Sequence, residues 1–93
     1  MSHPFVYDPV ADIDNQIVDA TTAKDFPAAV GARGFWISVR TAAIYITFDG
    51  STPSATNGLE LAAGQHPIYI GIPKDFKAFG SAASCPTAVL WVR

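Results

Sequence analysis

Apolar and polar side chains alternate along this chain in short bursts, each cut off by turn-forming residues. In residues 34–40, Phe35, Ile37 and Val39 share one parity, and Trp36, Ser38 and Arg40 the other. In residues 43–48, Ile44, Ile46 and Phe48 alternate with Tyr45 and Thr47. A period of two is the mark of a strand with one face on a core. The second burst stops at Asp49-Gly50, and small polar residues then run to Asn57-Gly58 before Leu59-Glu60-Leu61. That spacing predicts a strand, a long ordered loop and a short edge strand.

The same reading extends over the rest of the chain. Residues 16–20 predict a first strand, and residues 21–26 predict one short helical turn ended by Pro27. Residues 62–65 turn the chain into a strand over 66–72, with Ile68, Ile70 and Ile72 inward. Residues 76–79 form a further strand, residues 80–86 a small-residue loop, and residues 87–93 the closing strand with Leu90 and Val92 inward. About seven short antiparallel strands at intervals of about ten residues predict an all-β domain, a small β-sandwich or jelly-roll-like body.

Residues 1–15 differ from that body, which occupies 16–93. Pro4 and Pro9 forbid a regular helix, while Phe5, Val6, Tyr7, Val10 and Ile13 are too apolar for a purely solvated tail. They read as an extended N-terminal arm that docks, with Phe5 and Tyr7 as contact residues, or as a frayed terminus.

Composition sharpens the picture. At 93 residues, 49% hydrophobic and 15% charged, the chain carries more apolar surface than so small a body hides easily. A net charge of −2 gives no basic footprint for nucleic acid. No apolar run approaches the roughly 20 residues of a membrane-spanning helix, and the first residues show no charged-then-apolar export pattern.

Four aromatics, Trp36, Tyr45, Tyr69 and Trp91, take the parity opposite to the expected core. Rings on outward faces suit a protein contact surface or sugar stacking, and they equally suit cross-strand pairs that stabilise a covered sheet. The loop 49–58 offers Asp49, Ser51, Thr52, Ser54, Thr56 and Asn57 to a ligand, or satisfies itself through turn chemistry.

Reactive chemistry finds little support. Cys85 has no cysteine partner in the chain and reads as a small buried apolar side chain, and the histidines, His3 and His66, each precede proline. A reduced product assembled inside a cell is expected. Asp12-Ile13-Asp14-Asn15-Gln16 has the flavour of a calcium loop, but Ile17 stands where the glycine is required and no Glu closes it. No metal and no cofactor are expected. A nucleophile elbow, a phosphate-cradling glycine loop and an HExxH helix are absent, and beyond Asp49 the acids are Glu60 and Asp75. No enzyme is expected.

The order of the pieces resembles small structural proteins of tailed-bacteriophage virions, most closely over 44–61 and more weakly over 16–93. It comprises the opening Val18-Asp19-Ala20-Thr21, Arg33-Gly34-Phe35, a strand entering Asp49-Gly50, the return Asn57-Gly58-Leu59 with Ala63-Gly64, and the turn over 78–84 before the last strand. The resemblance implies a head decoration (cement) or spike-base subunit, assembled into the virion in the host cytoplasm. It would be a homo-oligomer that binds the major capsid protein or other virion subunits without chemistry. A shorter stretch, residues 44–53, is similar to a hairpin of the Ig-like C-terminal domain of chitobiase-type enzymes, which implies a carbohydrate-binding module using the exposed aromatics.

Overall fold

A computed structural model describes residues 9–69 and 75–93. Among them are eight strands: β1 (Asp14–Val18), β2 (Lys24–Phe26), β3 (Gly34–Val39), β4 (Ile44–Thr47), β5 (Leu59–Leu61), β6 (Gly64–Tyr69), β7 (Phe76–Gly80) and β8 (Cys85–Val92). They form two four-stranded antiparallel sheets, β1-β8-β3-β6 and β2-β7-β4-β5.

The pairing is nested. The first strand pairs with the last, β2 with β7, β3 with β6, and β4 with β5. Such a chain is one long hairpin with its turn at 48–58, rolled so that β3 also meets β8 and β4 also meets β7. Eight strands in this order are a jelly roll. The expected all-β sandwich is the fold observed.

The core lies between the sheets. Phe35, Ile37 and Val39 of β3 and Ile44 and Ile46 of β4 are buried as their alternation predicts, and half-buried Ile68 and Phe48 pack against the same cluster. Five rings cross the middle. Phe26 stacks on its register partner Phe76 at 4.8 Å, Phe76 stacks on Phe35 of the facing sheet at 4.7 Å, and Phe35 meets its own partner Trp91 at 5.0 Å. Phe48 closes the cluster at 5.8 Å from Phe76.

Several expectations change. Residues 24–26 are a strand, not part of a helical turn, because Phe26 wins a ring partner and Lys77 reaches Asp25 at 3.5 Å when they pair with β7. The turn before them is built by Asp19, whose Oδ1 accepts from Thr21 N, Thr21 Oγ1 and Thr22 N at 3.0, 2.9 and 2.9 Å. The first strand begins at Asp14, ahead of the expected Gln16, and the closing strand begins at Cys85.

The parity of β8 is the larger correction. Its inward side chains are Cys85, Thr87, Val89 and Trp91, while Leu90 is half-buried on the outer face. Val92 is 6% exposed yet outside the core cluster. Register decides this: Phe35 pairs with Trp91, so Phe35 pointing inward carries Trp91 with it. Ile70 and Ile72 lie outside the described residues.

Candidate functional site

Of the six aromatics read as contact residues, Phe5 and Tyr7 lie outside the described residues, and so does the side chain of Tyr69, whose backbone pairs with Gly34. Trp91 is 2% exposed and belongs to the core, which removes it from any surface. Its buried indole Nε1 has no hydrogen-bond partner among the described residues. Trp36 and Tyr45 are half-buried on strands of different sheets, and their parity turns each away from the core. They stand on opposite faces of the sandwich.

The structure builds a different surface around Trp36. On the outer face of the β1-β8-β3-β6 sheet, Trp36 lies between Leu90 of β8 and Pro67 of β6. Ile13 lies just ahead of β1, next to the Asp14–Val89 pair that opens the ladder with β8. The next row is Asn15, Ala88, Ser38 and Gln65, and the one after it sets Ile17 beside Pro86. Ile13 and Ile17 are each 54% exposed. Trp36 Nε1 donates to Gln65 Oε1 at 3.2 Å, so its polar atom is occupied within the sheet. Arg40 sits at the end of the face, where a hollow of about 230 Å³ is lined by Asn15, Gln16, Ile17, Arg40, Pro86 and Thr87. No carboxylate stands in these rows.

Signals near this face were present in the sequence at Trp36 and, as part of the docking arm, at Ile13. Ile17 gave none, since an isoleucine in a short strand reads as core until the register is known.

The opposite face is mixed, with two aromatics among charged residues. Glu60, Tyr45 and Phe79 form one row, and Thr47, Lys77 and Asp25 another. A groove of about 670 Å³ runs beside it, lined by residues that include Asp25, Thr47, Phe48, Asp75 and Lys77. Its charges have structural partners: Asp25 pairs with Lys77, and Asp75 Oδ1 accepts from Ala28 N at 2.8 Å.

The loop 49–58 satisfies itself. Asp49 Oδ1 accepts from Ser51 N at 3.0 Å and Ser51 Oγ at 2.6 Å, and Thr47 Oγ1 donates to Ser51 O at 2.6 Å. Asn57 Nδ2 donates to Ser51 Oγ and Thr52 O at 3.0 and 2.9 Å, and Ser54 and Asn57 exchange both backbone bonds. Pro53 is buried beneath it.

Cys85 is fully buried, with Sγ donating to Ala82 O at 3.6 Å. His66 Nε2 donates to Ala62 O at 2.8 Å, which ties the ring to the β5–β6 turn. Among the described residues no group of three or more His, Cys, Asp or Glu is placed to hold a metal ion, and no helix is long and apolar enough to cross a membrane. Comparison with protein-family models, curated proteins and solved structures finds no match to this chain.

Proposed function

We propose that this chain is a non-enzymatic structural subunit of a tailed-bacteriophage virion, a capsid decoration (cement) or spike-base protein. It acts by burying the outer face of the β1-β8-β3-β6 sheet against neighbouring virion subunits. The observation that carries this reading is the face itself: an apolar row of Leu90, Trp36 and Pro67, with Ile17 and Pro86 on the same face and no carboxylate among them. Jelly rolls serve viral coats, lectins and cupins alike, so the chemistry of the site has to choose among them. A lectin or cupin needs convergent polar groups or metal ligands around a pocket. This face offers dry contact area instead, which suits many weak contacts summed over a particle.

The test is mass spectrometry of gradient-purified particles from a lysate of the source culture. The reading expects the chain to band with particles at a fixed copy number relative to the major capsid protein. A chain found wholly in the soluble fraction, with particles lacking it, overturns the reading.

A further inference from the structure

We infer that the outer face of the β1-β8-β3-β6 sheet is a self-association surface on which two copies of this chain stack face to face about a twofold axis. This deepens the reading above, since it rests on the same face being a contact surface, and it commits the occupant to a second copy.

The free edges do not favour association by strand addition. At one edge of the first sheet, β6 carries Pro67, which has no N–H to offer a new strand. At the other side of the sandwich, Gln16 Nε2 of β1 donates to Asp25 O of β2 at 2.8 Å and ties the two edges together. The remaining edge, β5, is three residues long. Contact between copies therefore falls to a face.

The two outer faces differ in whether they can meet themselves. A twofold contact sets a patch against its own image, so any charge near the axis faces its like. The β2-β7-β4-β5 face carries Glu60, Lys77 and Asp25 in its rows, and stacking it would desolvate all three. The β1-β8-β3-β6 face has Leu90, Trp36, Pro67, Ala88 and Ile17 there, with exposed Ile13 just ahead of β1 at its border, and its one cation in this parity, Arg40, lies at the end. It passes where the other fails.

Its area sets the strength. Four strands spaced about 4.8 Å apart and about 17–27 Å long give a footprint of about 400 Å² per copy. A stable interface buries about 800 Å² per partner. The pair is therefore weak alone and becomes firm only where copies are held close together.

The experiment is sedimentation equilibrium of the full chain from about 5 μM to about 1 mM. The expected result is a monomer–dimer equilibrium. Ile13→Asp and Ile17→Asp, both at exposed positions that leave the core alone, each raise the dissociation constant at least tenfold, while Leu59→Asp on the other sheet leaves it unchanged. A variant beginning at Pro9 still dimerises. A monomer throughout, a trimer or larger ring, dimers indifferent to the two isoleucine substitutions, or dimers lost on removing residues 1–8 each overturn the inference. Failure here is separable from failure of the virion reading. A chain that bands with particles but stays monomeric loses only the twofold contact. A chain that dimerises but is missing from particles loses only the virion role.

Discussion

Replacing Phe76 with leucine tests whether the ring stack joins the two sheets. Phe76 is 1% exposed and lies near-parallel to Phe26 at 4.8 Å and 5°, and to Phe35 at 4.7 Å and 15°. Leucine keeps most of the buried apolar area but loses both stacked pairs, each worth about 0.5–1.5 kcal/mol beyond area. The change of shape in a close-packed core adds up to about 1.5 kcal/mol. The expected loss is about 2–4 kcal/mol, against a total stability of about 5–14 kcal/mol for a chain of this length. Urea unfolding followed by far-ultraviolet circular dichroism reads it directly. With a slope of about 1.5 kcal/mol per molar, the midpoint falls by about 1.3–2.7 M. Phe48→Leu is the internal comparison. Its ring is half-buried, tilted by 41° or more and 5.8–6.2 Å from its neighbours, so its loss stays near 1 kcal/mol. Equal losses at the two positions, or less than about 1 kcal/mol at Phe76, would refute the account of the stack.

Two further predictions concern the turns. Gly58 has φ +116° and an added Cβ would sit 2.5 Å from Ile46 O, whereas Gly50, at φ +84°, opens onto free space. Thermal melts are expected to show Gly58→Ala losing about 3 kcal/mol or more and Gly50→Ala about 1–2 kcal/mol; equal losses would put the close approach in doubt. Backbone N–H groups of Thr22 and Thr21, then the Thr21 hydroxyl, pull the Asp19 carboxyl from 3.8 to about 2. A folded value below the unfolded one makes the ionised group stabilising above pH 4, and that contribution fades as pH falls through 4 towards 2. Asp19→Asn should therefore destabilise the chain at pH 7, with most of that difference gone by pH 2, as read by urea titrations at both pH values; a pH-independent difference would contradict the turn chemistry.

How much of this was legible in the sequence follows from where each position gets its instructions. The strands β3 and β4 carry apolar residues at one parity and Ser38, Arg40 or Thr47 at the other, so their inward faces could be read locally. Residues 87–92 are apolar at both parities apart from Thr87, and the choice between Leu90 and Trp91 comes from pairing with β3, far away in sequence. Lys24-Asp25-Phe26 is too short to show a period and becomes a strand through β7. The loop 49–58 was legible because Asp49, Ser51 and Asn57 act on neighbours within a few residues. The apolar outer face of the β1-β8-β3-β6 sheet is the least local feature. Its members come from four strands, and the nested pairing that brings Leu90, Trp36 and Pro67 into one row and sets Ile17 on the same face is a property of the whole roll.

Trp91→Phe offers a direct view of that face. It removes the unpaired buried indole N–H, worth about 1–3 kcal/mol when unsatisfied, against a cavity cost of similar size, so stability is expected to stay within about 1 kcal/mol of the parent. Trp36 is then the single tryptophan. Its emission should be recorded from about 5 μM to about 1 mM alongside the mass of the particle. The account predicts that the emission maximum moves to shorter wavelength in step with dimer formation, as a second copy covers the β1-β8-β3-β6 face. An emission maximum that stays fixed while the mass doubles would place the contact on another surface and contradict the central claim.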